Sequence, residues 1–102
     1  MVTGTLVVDL LLGDVHSLKA KRAVVRPLVA ELRRRFDVAV AEVGDHDRHR
    51  RVQIGVAAVA GEGGHVRDVL DECERFVAAR PEVEFLSARR RVFGDDDDVD
   101  LW

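Results

Sequence analysis

Tyrosine and asparagine are absent from this 102-residue chain, cysteine and tryptophan occur once each, and proline occurs twice. A single cysteine, Cys73, leaves no internal disulfide and no Cys-x-x-Cys metal or redox site. It falls at an apolar helical position, where a cysteine acts as a small buried hydrophobe rather than a nucleophile. No apolar run approaches the roughly 20 residues that span a bilayer, so no membrane partner is expected. The start, Met-Val-Thr-Gly, lacks a basic stretch followed by an apolar core, and a cytoplasmic location is the expectation. Lysine is scarce too: Lys19 and Lys21 stand alone among fourteen arginines.

Few aromatics also narrow the ways nucleic acid can be held. An RNA-recognition sheet stacks bases on aromatic side chains of its central strands. Here Thr5–Leu12 and Gln53–Ala57 carry none. Any nucleic-acid contact is therefore led by phosphate and strongly salt-dependent.

What is present describes one folded domain: 47% hydrophobic and 34% charged residues can build a core and a soluble surface. The net charge of −3 averages two opposed blocks. Residues 17–36 hold seven cationic side chains against Glu31 alone, and residues 95–100 hold five aspartates and no cation. Local fields, not the mean, decide what such a surface attracts.

Hydrophobic periodicity orders the chain. Residues 5–12, Thr-Leu-Val-Val-Asp-Leu-Leu-Leu, predict a strand closed by Gly13-Asp14. From Leu18 the period changes, and Leu18, Val25, Leu28, Val29, Leu32 and Phe36 share one helical face. Ser17 is the expected N-cap, and Pro27 is expected to bend the helix rather than end it. Residues 38–43 and 51–60 predict two strands joined by a polar hairpin over 44–50, and Gly61–Gly64 reads as a loop. Val66, Val69, Leu70, Cys73, Phe76 and Val77 predict a second helix, which Pro81 stops before a last strand over 83–93. The order strand, helix, strand, strand, helix, strand predicts a ferredoxin-like α+β domain over 1–93, with two helices on one face of a four-stranded antiparallel sheet. Residues 94–102 read as a mobile acidic tail, with solubility as its default role.

The predicted first strand is apolar in both alternating sets, with Val7 and Leu11 opposite Leu6, Val8, Leu10 and Leu12. A strand with one wet face normally alternates with polar residues. A homo-oligomer formed through the open sheet face is the expected explanation.

The first helix begins with positive charge, where the helix dipole favours anions. Lys19, Arg22, Arg26 and Arg33 fall within about 60° of one another at ~100° per residue. With Ser17 and the first backbone N–H groups at its head, this row suits phosphate. The competing reading pairs the row with acidic side chains of the second helix: Asp68, Asp71, Glu72 and Glu74. Lys21 projects towards the apolar arc, about 40° from its centre, so it must snorkel or reach a carboxylate. No acid–base partner accompanies it, and no catalytic residue is expected. His46-Asp47-Arg48-His49 places ligand types among arginines on a loop and makes a poor metal site. Neither metal nor cofactor is expected. Arg89 and Arg91 share one face of the last strand, opposite Arg90.

The stretch Ser17-Leu18-Lys19-Ala20-Lys21-Arg22, with residues 38–43 and Ile54-Gly55-Val56-Ala57, resembles the YlxP-like family of small bacterial domains. The similarity runs over about residues 1–93. It implies a ferredoxin-like domain linked to translation, because genes of the family neighbour those for translation initiation and ribosome maturation factors. The chain is thus expected to be a ribosome- or RNA-associated factor and not an enzyme. It would bind phosphate backbone through Ser17, Lys19, Lys21, Arg22, Arg26 and Arg33. The alternatives are a homo-oligomeric interaction module without nucleic-acid binding and an acylphosphatase-like phosphate enzyme. The enzyme reading is the weaker, since acylphosphatase-type folds use an asparagine that this chain lacks.

Overall fold

In the computed structural model, which describes residues 1–94, the first and third strands are the two central ones of the sheet. β1 (Val2–Leu12) lies between two partners, and α1 (Leu18–Phe36) follows it. Next come β2 (Ala39–Gly44), β3 (Arg51–Ala60), α2 (Gly63–Ala78) and β4 (Val83–Phe93). All neighbours in the sheet are antiparallel, in the order β2-β3-β1-β4. This is the ferredoxin-like α+β arrangement that the periodicity predicts.

Alternation along β1 sorts its residues between two layers. Leu6, Val8, Leu10 and Leu12 are buried under the helices, together with Val40, Val52, Ile54 and Val56. The helices contribute Val25, Leu28 and Leu32 from α1 and Val66, Leu70, Cys73 and Val77 from α2. Each such side chain contributes about 1.5–3 kcal/mol by leaving water. Leu18 is the departure from the expected stripe: at the first helical position it overhangs the end of the core and is 36% exposed.

Ser17 caps α1, its Oγ accepting from the Ala20 N–H at 3.0 Å. Pro27 lies inside α1, and the helix continues through it to Phe36. Pro27 and Ala23, whose carbonyl loses its usual donor, both lie on the exposed side. The helix ends at Asp37, which takes the left-handed conformation (φ 51°) and donates its N–H to the Arg33 carbonyl. Aspartate is among the residues that tolerate this region best.

α2 starts earlier than its apolar stripe implies, because Gly63 and Gly64 form its first turn instead of a loop. The Val66 N–H donates to the Glu62 carbonyl at 3.3 Å, the first main-chain bond of the helix, and Glu62 supplies no side-chain cap. Among the described residues no helix is long and apolar enough to cross a membrane. The expected acidic tail, apart from Gly94, lies outside the described residues.

Candidate functional site on the first helix

The six side chains singled out on and before α1 separate into three kinds. Ser17 is the cap. Lys21 is buried, at 2% exposure. Its Nζ donates to the carbonyls of Asp45 at 2.7 Å and Arg48 at 2.8 Å, and lies 3.0 Å from Glu42 Oε1. Three N–H donors meet three acceptors, which leaves none for a ligand. Lys21 therefore drops out of the expected anion-binding set, because its charge is satisfied inside the protein. What it does is fasten the β2–β3 hairpin beneath the first turns of α1.

Arg33 is likewise engaged. Its Nη2 donates to the Val40 carbonyl at 2.5 Å, covering a backbone group of β2, an edge strand. Because Arg33 shares an angular row with Lys19, Arg22 and Arg26, that contact shows which way the row faces. It overlooks β2, on the flank of α1 away from α2.

Lys19, Arg22 and Arg26 make up the third kind. All three are exposed. With Ala23 and Pro27 they line an open groove of 410 Å³. No acidic side chain of the described residues pairs with any of them. Two carboxylates of the acidic face of α2 are engaged elsewhere: Arg90 of β4 reaches Asp71 at 2.5 Å and Glu74 at 3.3 Å. Glu31, the single carboxylate of α1, is held by Arg80 at 2.7 Å. The helix–helix ion-pair network that competed for the row is therefore absent from it.

The β2–β3 connection forms a loop, and no group of three or more metal-ligating side chains occurs among the described residues. His46 Nε2 lies 3.2 Å from the Glu42 carbonyl. Arg50 Nε donates to the carbonyls of Leu12 and Gly13, tying the hairpin to the end of β1. Lys21 and Arg50 together fix the connection from both sides, and the exposed Arg48 lies 3.6 Å from Asp45.

Cys73 is fully buried, and burial pushes its thiol up to about 11. With its folded value above the ordinary one near 9.0, the protonated thiol is the form the fold favours. That stabilisation is complete below about pH 9 and is lost as pH rises towards 11. Native protein at pH 8 should therefore resist a maleimide that labels the urea-unfolded chain within minutes. Rapid stoichiometric labelling without denaturant would contradict the burial.

A family model described as "Protein of unknown function (DUF503)" matches residues 3–90. The chain belongs to this DUF503 family. It is similar to "Uncharacterized protein YlxP" of Bacillus subtilis (strain 168), at 29% identity over 85 residues, covering 83% of this chain and 92% of that one. That agrees with the family resemblance read from the Ser17–Arg22 stretch. Among solved structures it is similar to a variant of SnoaB, a cofactor-independent oxygenase from Streptomyces nogalater. The TM-score is 0.50 at 11% identity, over 90% of this chain and 91% of that one, a likeness of fold alone.

Two features of the opposite surface were not apparent in the linear pattern. Asp9 of β1 and Arg51 of β3 form an ion pair at 2.7 Å on the open sheet face. That hydrogen bond, with desolvation opposing it, raises the Arg51 guanidinium further above its ordinary value. Beside it, Thr5, Val7, Ala39, Ala41, Val43, Gly55 and Ala57 surround an apolar concavity of 320 Å³. Only the strand register, which periodicity does not provide, places these small residues side by side.

Proposed function

We propose that this DUF503 protein is a ribosome- or RNA-associated binding factor that takes phosphate backbone on α1. One observation supports the reading above the others. Lys19, Arg22 and Arg26 form an exposed row with no carboxylate partner among the described residues, while Lys21, Arg33, Arg50, Arg51, Arg80 and Arg90 are all engaged within the fold. Three unpaired cations over about 10 Å of helix repel one another, and a strand of phosphates relieves that repulsion. The groove offers no buried polar pocket for a base, so the expected binding is weak in sequence preference. The family resemblance supplies the link to the ribosome.

Binding of a labelled single-stranded RNA, and of purified ribosomal subunits, across a salt series tests this. Three phosphate contacts give a log K against log salt slope of about −2. The Lys19→Glu/Arg22→Glu/Arg26→Glu chain should lose binding altogether at every salt concentration. Equal binding by the wild-type and reversed chains would remove α1 as the site.

A further inference from the structure

Pro27 changes what the basic groove of α1 can offer a ligand. It has no N–H, so the Ala23 carbonyl, one turn earlier, loses its helical donor. The pyrrolidine ring crowds the same oxygen, and carbonyls on the solvent side of a helix tilt outwards to water. Ala23 and Pro27 are both exposed, and no side chain of the described residues donates to this oxygen.

The surroundings give that oxygen its meaning. At ~100° per residue, Ala23 and Pro27 lie about 40° and 80° beyond Lys19, towards the solvent side of the helix. They line the same groove as Lys19, Arg22 and Arg26. Ammonium and guanidinium groups only donate, and alanine and proline side chains neither donate nor accept. The Ala23 oxygen is thus a free acceptor in a groove whose side chains supply donors alone.

A row of phosphates answers the cations but not the carbonyl. A phosphodiester has no proton to give, and alone it would set a second acceptor against the first. The ligand that matches the whole groove brings an anion with a hydroxyl beside it. RNA does so, because each ribose carries a 2′-hydroxyl between successive phosphates and deoxyribose carries none. Base N–H groups are common to both nucleic acids and create no preference between them.

We propose that α1 reads the sugar of its ligand: Lys19, Arg22 and Arg26 hold phosphates, and the Ala23 carbonyl, freed by Pro27, accepts from a ribose 2′-hydroxyl. This preference for RNA over DNA rests on the phosphate-binding reading of α1, and phosphate contacts alone would not create it. Pro27 sets the specificity by what it withholds from Ala23.

Three oligomers of equal length and the same base isolate the hydroxyl: oligouridylate, oligodeoxyuridylate and 2′-O-methyl oligouridylate, whose methylated oxygen accepts but cannot donate. In fluorescence anisotropy with the full-length protein, the ribo-oligomer should bind about fivefold more tightly than the other two, as one net hydrogen bond allows. Because the three carry equal charge, that ratio should hold while every affinity falls with added salt. Pro27→Ala returns the N–H to the helix and should fold at least as well as the wild type. It should bring the ribo-oligomer down to the affinity of the other two. Equal wild-type binding of the ribo- and deoxy-oligomers would overturn the proposal. A 2′-O-methyl oligomer that binds as tightly as the ribo-oligomer, or a preference that survives Pro27→Ala, would overturn it equally. Those results would leave the cationic row standing as long as Lys19→Glu/Arg22→Glu/Arg26→Glu abolishes binding. If the reversed chain binds like the wild type, or no oligomer binds, the phosphate reading falls and the ribose preference falls with it.

Discussion

Replacing Lys21 with alanine is expected to destabilise the protein by about 3 kcal/mol, the lower end of the range for removing one partner of a buried ion pair. The substitution strips Glu42 of its counter-charge and the Asp45 and Arg48 carbonyls of their donor. Glu42 keeps a quarter of its side-chain surface in water, and that hydration holds the cost to the lower end. A fall in the urea midpoint with an unchanged m-value would record it. The same variant should expose the hairpin, so trypsin should cut after Arg48 or Arg50 at concentrations that leave the wild type whole. Lys21→Met/Glu42→Leu removes both charges together and should recover part of the loss. A Lys21→Ala chain as stable and as trypsin-resistant as the wild type would show that the three contacts contribute nothing. Binding of RNA per folded molecule should be unchanged, which separates Lys21 from Lys19 although a single residue divides them.

That separation was partly legible before any coordinates. Helical geometry aims Lys21 at the apolar arc and Lys19 away from it, and a buried ammonium must find a carboxylate. Periodicity could not say that the carboxylate is Glu42 or that two hairpin carbonyls complete the set. Those partners lie 21 to 27 residues downstream and are brought near only when β2 and β3 pair. The same limit applies to Arg33. Its place on the basic row was readable, but its bond to Val40 depends on where an edge strand ends up. The strands at 51–60 and 83–93 and the helix at 18–36 were legible to the residue, because each has a strong period and a clear boundary. The first turn of α2 was not, since a Gly-Gly pair carries a loop signal that tertiary packing overrides. On the open face, single positions such as Thr5, Ala41 and Gly55 say nothing alone. Their meaning comes from the register that sets them side by side.

Gly4 shows how a register contact can reverse the sign of a substitution. Glycine weakens a strand, and replacing it with alanine at a compatible backbone stabilises by about 0.4–1 kcal/mol through the unfolded state. No left-handed conformation is required at Gly4, so backbone arguments alone favour alanine there. Packing opposes it. A Cβ on Gly4 would stand 2.5 Å from Val66 Cγ1 and 2.9 Å from Leu70 Cδ1, both on fully buried residues of α2. Neither methyl can retreat far, because Val66 and Leu70 are themselves enclosed in the core. Overpacking of this kind costs about 1–3 kcal/mol, which exceeds the backbone gain. Gly4→Ala should therefore lower the thermal midpoint, and Gly4→Val should lower it further by forcing α2 away from β1. The Gly4→Ala/Val66→Ala pair supplies the control. If the two sites conflict through that one methyl, the double variant should be more stable than the sum of the single losses, by an interaction energy of about 0.5–3 kcal/mol. Strict additivity, or a Gly4→Ala chain more stable than the wild type, would mean that α2 yields to the added carbon and that glycine at this crossing is not needed for close approach.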